Sequence, residues 1–367
     1  MRILLVGEYS NVHWSLGEGL RALGHDVTVV SDGDSWKNYR RDIDLSRRST
    51  GKFDTLRYIF RLQNVFRNLK GYDIVQIINP MFLSLRASRI KGYYDYLRRH
   101  NGKMFLGAFG MDYYWVKTGL DCTTFRYSDF NFGSTPRTEE PFNQIEINDW
   151  YEGDKGVLNR YIASDCDGIV AGLYEYYASY HPVFPTKTTF IPFPIPRESI
   201  RRKPLVSISY PLKFFIGIQR GRSEYKGTDK MLRALERLKE DYPEKLDIIK
   251  VESVPFDEYR RLVKESDILL DQLYSYTPGM NGLLAMSQGV VLVGGGEEEH
   301  YELLGEEDLR PIVNVLPSED DVYSKLRSLL LDIEDVRRRS KESVDYVVRH
   351  HDNVSVAQRY LDFWQER

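Results

Sequence analysis

Three cations crowd the segment FFIGIQRGRSEYKGTDK (Phe214–Lys230): Arg220, Arg222 and Lys226 fall within seven residues, between a strand-like run and Gly227. Like charges held this close repel one another unless an anion joins them. A second feature suited to anions lies further on. A Pro278–Gly279 break precedes a helical pattern from Met280 to Ser287. The backbone N–H groups of Gly279, Met280, Asn281 and Gly282 would then open a helix at the positive end of its dipole. If the two loops face each other, Arg220, Arg222 and Lys226 grip one side of a diphosphate and those amides the other. A solvated basic loop and an ordinary turn without a ligand are the alternatives. In the loop GEYSNVHW (Gly7–Trp14), Glu8, Ser10 and His13 follow the first strand, where α/β proteins place ligand contacts. The loop lacks the G-x-G-x-x-G pattern of dinucleotide sites, and a turn or capping role accounts equally well for each of its three polar residues.

The elements that must position these residues alternate. Ser266–Gly296 reads as strand, turn, helix, strand and glycine triplet, a βαβ unit. The first half predicts strands at Ile3–Val6, Val27–Val30, Ile74–Ile78, Met104–Ala108, Gly168–Ala171 and Thr188–Ile191. Between them come helices at Trp14–Leu23, Arg57–Leu69, Phe82–Arg99, Val157–Ser164 and Tyr174–Tyr180. The second half adds strands at Phe214–Ile218 and Leu246–Val251 and helices at Thr228–Lys239 and Asp257–Lys264. This predicts an α/β protein with two Rossmann-like, doubly wound domains facing a cleft. The expected boundaries are 1–200 for the first domain and 205–345 for the second. A final helix, about 350–367, is expected to pack back on the first domain. The proline-rich, basic segment Pro192–Pro204 reads as the linker. Asp112–Asp154, rich in aromatic and polar residues, reads as a long loop. Ser318, with Asp321 three residues on, predicts a capping-box start to the helix carrying Val322 and Leu326.

At 367 residues, 42% apolar and 29% charged, the chain has the composition of a soluble globular protein of two domains. No run approaches the ~18 apolar residues of a membrane span, and the opening MRILLVG is too short for a secretory signal. Two cysteines, Cys122 and Cys166, form neither a disulfide framework nor a metal spacing, and the seven histidines form no ligand pattern. A cytoplasmic protein without metal or cofactor is expected. Net charge is −3, but Lys37–Lys103 holds 16 Lys and Arg against 5 Asp and no Glu. That excess fits peripheral contact with the inner face of a membrane or a polyanionic acceptor, or else solvated helix faces. No nucleic-acid module is present, and nucleic acid is not expected as a partner.

The basic GIQRGRSEYKG loop and SYTPGMNGLLAMSQGVVLVGG, on two α/β domains, resemble the GT-B-fold glycosyltransferases of family 4 (glycosyl transferases group 1). The resemblance covers most of the chain and is strongest from Phe214 to about Pro317. It implies acceptor binding by the first domain and donor binding by the second, and that Arg220, Arg222 and Lys226 bind the diphosphate of a nucleoside-diphosphate sugar. The segment VPFDEYRRLVKESDILLDQ is similar to the stretch beside the nucleobase, which implies Val254, Pro255 and Tyr259 for base and ribose; Tyr274 and Tyr276 are further candidates. AFGMDYYW is similar to an H-G-x-D stretch, so Asp112 maps to its Asp and Phe109 to its His. The family's two Glu fall on Tyr276 and Leu284, so their carboxylates are missing here; Glu297–Glu299 are the nearest acidic run. The function implied is sugar transfer to a glycan or lipid-linked acceptor in cell-surface polysaccharide or glycoconjugate synthesis, retaining and without metal. Glu8 and Ser10 would lie on the acceptor side, with His13 or Asp112 as catalytic groups. A non-catalytic nucleotide- or glycan-binding protein and a sugar-nucleotide epimerase of the same fold are the alternatives.

Overall fold

The structure, a computed structural model, describes every residue except 48, 50 and 220, so the Arg220 expectation lies outside the described residues. Strands β1 (Arg2–Val6), β2 (Asp26–Ser31), β3 (Ile43–Asp44), β4 (Ile74–Ile77) and β5 (Lys103–Ala108) belong to the first domain. A hairpin of β6 (Asn131–Phe132) and β7 (Thr135–Pro136) stands apart, and β8 (Gly168–Ala171) and β9 (Thr188–Phe190) complete the sheet. The strand order is β3-β2-β1-β4-β5-β8-β9, all parallel. The second domain has β10 (Leu212–Ile218), β11 (Leu246–Glu252), β12 (Ile268–Leu270), β13 (Val291–Gly294) and β14 (Val313–Asn314), parallel in the order β11-β10-β12-β13-β14. Every side chain of β4, β8, β12 and β13 is buried, as parallel strands covered on both faces require. In each sheet the order reverses once, between β1 and β4 and between β10 and β12. Ligands of open α/β sheets bind beyond the carboxyl ends of such strands.

The first domain's helices are α1 (Val12–Ala22), α2 (Lys52–Asn68), α3 (Ala87–His100), α4 (Tyr113–Leu120), α5 (Pro141–Glu146), α6 (Asp154–Asp165) and α7 (Tyr174–Tyr180). The second half carries α8 (Ser223–Lys226), α9 (Thr228–Asp241), α10 (Phe256–Glu265), α11 (Met280–Met286), α12 (Glu298–Leu304), α13 (Glu319–Leu331), α14 (Ile333–His351) and α15 (Asn353–Glu366). Three local expectations need correction. The span expected to be a long loop contains α4, the hairpin, α5 and a π-helical turn Ile147–Glu152, because its aromatic residues find a core of their own. The helix expected from Phe82 begins at Ala87: Phe82 and Leu83 enter the core from the non-helical stretch before it, and Arg86 takes an extended conformation that starts the helix after it. Ser318 makes no side-chain cap, and Asp321 instead accepts the Leu316 N–H at 2.8 Å.

The chain crosses back at its end. Helix α15 lies against α1, and a Cβ on Gly19 would sit 2.1 Å from the Asn353 carbonyl oxygen, so only glycine permits the approach. Asn353 Nδ2 donates to the Ser15 carbonyl at 3.2 Å, and Lys103 Nζ to that of Trp364 at 3.2 Å. Trp364 is wholly buried, with ring contacts to Phe105 and Tyr360. Trp364→Ala is expected to lower stability by about 3–5 kcal/mol through the cavity it leaves. Urea unfolding of the full chain measures this, with the loss appearing in the midpoint.

Candidate functional site

The carboxyl ends of both sheets face each other across a cavity of about 1030 Å³ between the domains. From the first domain its walls take Ser10, Asn11 and Lys37; from the second, Pro255, Tyr259, Met280, Asn281 and Leu284. Charge in the lining is lopsided: Lys37, Arg40, Arg201, Arg260, Arg261 and Lys264 against Glu18, Glu198 and Asp257. A cleft lined by one sign of charge concentrates the opposite one, so this cavity favours an anionic ligand. Trp36 and Tyr39 meet Phe256 edge-on at 5.9 and 5.3 Å, closing one rim between the domains.

Lys226 ends α8, the single turn after β10, where Gly227 takes a left-handed φ of 73° to start α9. Burial holds the Lys226 ammonium below the ordinary lysine pKa; Asp271 opposes that shift, while Arg222 and Lys37 reinforce it. Lys226 therefore lies within electrostatic reach of a cation from each domain, an arrangement that an anion between them relieves. Arg222 has its guanidinium 4.4 Å from the Phe142 ring centre and 5.3 Å from that of Tyr225. The first turn of α11 has no side-chain cap at Gly279, and Met280 and Asn281 face the cavity. Gly282 sits deeper, where an added Cβ would lie 3.4 Å from a carboxylate oxygen of Asp271.

The nucleobase candidates separate. Pro255 and Tyr259 line the cavity, whereas half-buried Val254 packs against the core. Tyr274 is buried beneath Arg137, whose guanidinium stacks 3.6 Å from its ring centre. Tyr276 is wholly buried in an aromatic cluster with Phe125, Tyr127 and Tyr174. On the acceptor side only Ser10 lines the cavity, its hydroxyl accepting from Lys37 Nζ at 3.1 Å. Glu8 is buried and its carboxylate accepts the N–H groups of His13 (3.2 Å) and Trp14 (2.9 Å), capping α1; burial pushes its pKa up to about 8. His13 is wholly buried, with Nδ1 2.8 Å from the Gly7 carbonyl and Nε2 3.3 Å from the Gln76 amide. Burial pulls its pKa down to about 3. Asp112 caps α4 through Trp115 N–H at 2.9 Å and accepts the Tyr180 hydroxyl at 2.8 Å, with burial raising its pKa to about 7. The structure thus places His13 and Asp112 in hydrogen-bonded core positions and brings neither to the cavity lining.

Three residues outside the sequence reading stand close to Lys226. Lys37 bonds Asp34 at 2.6 Å as well as Ser10. Asp129 accepts the Tyr225 hydroxyl at 2.6 Å and lies within electrostatic reach of Arg137, Arg222 and Lys226. Asp271 follows β12, and its carboxylate makes no hydrogen bond or ion pair among the described residues. Burial raises its pKa, and Lys226 opposes that rise. The one sequence signal for Asp271 was its place directly after a buried strand of the switch point.

Neither a family model nor a curated protein sequence matches this chain. Solved structures do match it, several over nearly the whole of both chains. A sucrose-phosphate synthase from Thermosynechococcus elongatus superposes with a TM-score of 0.63 at 12% identity, covering 100% of this chain and 98% of that one. HepE of Anabaena, in complex with UDP and glucose, gives 0.59 at 10% identity with both chains fully covered. A Listeria monocytogenes protein assigned as a UDP-N-acetylglucosamine 2-epimerase gives 0.54 at 11% identity, covering 98% and 94%. Two parallel-sheet domains facing a cleft, as in these structures, make the fold GT-B. Among the described residues, no group of three or more His, Cys, Asp or Glu is placed to hold a metal ion.

His13 gives a pH prediction. Its folded pKa lies below the unfolded value, so the native state binds fewer protons between about pH 3 and 6.5 and loses stability as pH falls through that window. A His13→Gln variant is expected to show a smaller fall in melting temperature between pH 6.5 and 4 than the parent. Equal falls would remove His13 as a source of acid sensitivity.

Proposed function

We propose that the protein is a glycosyltransferase that takes a sugar from a nucleoside-diphosphate donor in the inter-domain cavity and passes it to a glycan or lipid-linked acceptor. The observation that carries this reading is the half-buried Lys226 at the β10/β12 switch point, beside a cavity whose charged lining is mostly cationic. In this reading Arg220, Arg222, Lys226 and the Gly279–Gly282 amides hold the diphosphate. They gain most when negative charge grows on it as the glycosidic bond breaks, which lowers the barrier rather than only tightening binding. Pro255 and Tyr259 hold the base, with Val254 supporting them from the core. No metal ion takes part in this scheme, and transfer retains anomeric configuration, as the family resemblance implies. Ser10 and Lys37 replace His13 and Asp112 as the polar groups on the acceptor side, because they line the cavity. Asp271 offers its unpaired carboxylate to sugar hydroxyls, a role that Tyr276 and Leu284 cannot fill.

One observation favours epimerisation as a second reading. Leu284 stands in the cavity wall where a carboxylate contact to the donor would be expected, and an enzyme of this fold that works without an acceptor needs a different set of contacts. Conversion of a UDP-sugar to its epimer with no acceptor present would establish that reading.

The first test is calorimetry with UDP, GDP, CDP, ADP and dTDP, with and without magnesium. One diphosphate is expected to bind selectively and independently of magnesium, and to raise the melting temperature by mass action. Lys226→Ala is expected to abolish that binding with the fold intact; unchanged affinity removes Lys226 from the donor site. Asp271→Asn is expected to leave the affinity for the free nucleoside diphosphate within about twofold and to weaken the intact sugar nucleotide by about tenfold, the scale of one charge-assisted hydrogen bond. Equal effects on both ligands would place Asp271 away from the sugar.

A further inference from the structure

Helix α2 is amphipathic in the usual sense on one side: Tyr58, Leu62 and Phe66 are buried in the first domain. Its solvent side is apolar as well. Phe53, Leu56 and Phe60 are 84%, 55% and 64% exposed. At ~100° per residue these three fall within about 60° of arc, so they form one stripe rather than scattered contacts. Arg57 and Arg67 share that face by the same spacing, and Lys52 lies at its edge. Beside the stripe, a groove of about 440 Å³ runs between α2 and α3, lined by Ile59, Phe66, Tyr93 and Tyr96 and flanked by Arg67 and Arg89.

The cations here differ from those on the rest of the surface. On α14, Arg337, Arg338, Arg339 and Lys341 each pair with a carboxylate of their own helix. By contrast, Lys52, Arg57, Arg67, Lys70, Arg86 and Arg89 make no ion pair with any described residue. An exposed apolar stripe costs free energy in water, and a cluster of unpaired cations repels itself; one kind of partner relieves both. No helix of the described residues is long and apolar enough to cross a membrane, so such a partner would meet this face from outside.

We infer that the α2–α3 face docks on an anionic lipid surface, with Phe53, Leu56 and Phe60 entering the headgroup–acyl boundary and Lys52, Arg57, Arg67 and Arg89 contacting lipid phosphates. Aromatic and aliphatic side chains gain from burial at that boundary, and each cation near an anionic bilayer adds about 1 kcal/mol. Long Lys and Arg stems can cover apolar surface while their charged ends reach lipid phosphates. A protein partner would need an acidic rim around an apolar groove; a bilayer supplies both features along the whole helix. This inference concerns a face separate from the donor cavity and stands whichever sugar nucleotide, if any, is bound there.

Flotation of the full chain with vesicles tests it. The protein is expected to float with vesicles rich in phosphatidylglycerol and to stay at the bottom with pure phosphatidylcholine, and high salt should weaken the binding. Two double variants separate the contributions: Phe53→Ser with Phe60→Ser, and Arg57→Glu with Arg67→Glu. Each is expected to reduce binding to anionic vesicles by about tenfold or more, with melting temperature and nucleotide binding unchanged. No flotation with anionic vesicles at low salt would overturn the inference. So would binding that survives both double variants, and so would self-association through the stripe, seen in ultracentrifugation, that excludes lipid.

Discussion

The closed arrangement of the two domains depends on Tyr276 and the loop around it. Glu175, on α7 of the first domain, accepts the N–H groups of Tyr276 (2.7 Å) and Thr277 (3.2 Å) from the second. The Tyr276 hydroxyl accepts the Arg126 N–H at 2.7 Å, and its ring is wholly buried. Around this centre the segment 121–153 straps one domain to the other. Arg126 pairs with Glu297 and Glu299, the Tyr127 hydroxyl donates to Glu297, and Arg137 donates to the Glu224 carbonyl at 2.9 Å. A buried carboxylate needs such donors, because water is not there to supply them. Cleft width is therefore set by an interface with little freedom to slide. Tyr276 acts here as a structural joint between the domains.

That joint places the cavity's charges. With the domains held together, Lys37 from one side and Lys226 and Arg222 from the other share a region with little water. Burial there disfavours the charged form of both Lys226 and Asp271. The two partly compensate each other, while Asp34 pairs with Lys37 and Asp129 stands within electrostatic reach of Arg222. Loosening the strap would hydrate Lys226 and relieve the burial that holds its pKa down.

Charge pairing also distinguishes the outer faces. On α14, Arg337, Arg338, Arg339 and Lys341 are neutralised by carboxylates of the same helix, a pattern that suits a solvated surface. The α2–α3 face leaves its cations unpaired beside exposed phenylalanines. The difference lies in the acidic partners: α14 carries Glu334, Asp335, Glu342 and Asp345 among its cations, whereas α2 has only Asp54.

Much of the architecture was legible in the chain. The apolar runs of β1, β4, β8 and β12, and the glycine and proline breaks after them, give strands and helices at a period that packing then enforces. Gly227 and Pro278–Gly279 marked the loops at the β10/β12 switch point because turns there need particular backbone freedom. The site was legible only in part. Pro255, Tyr259, Met280 and Asn281 reached the cavity because the turns and helix starts that carry them follow strand ends, a property of local order. His13 and Asp112 had the right residue types at the right strand ends, but burial and hydrogen bonds to Gly7, Gln76, Trp115 and Tyr180 turned them into framework. Asp129 comes within reach of Lys226 only because an aromatic segment folds across the other domain, a contact nearly a hundred residues away in sequence. Local sequence determined the elements, their order and the turns at their ends. Which polar groups were buried as structure and which were left facing the cleft was decided by tertiary packing, because burial and long-range pairing depend on neighbours that local sequence does not specify.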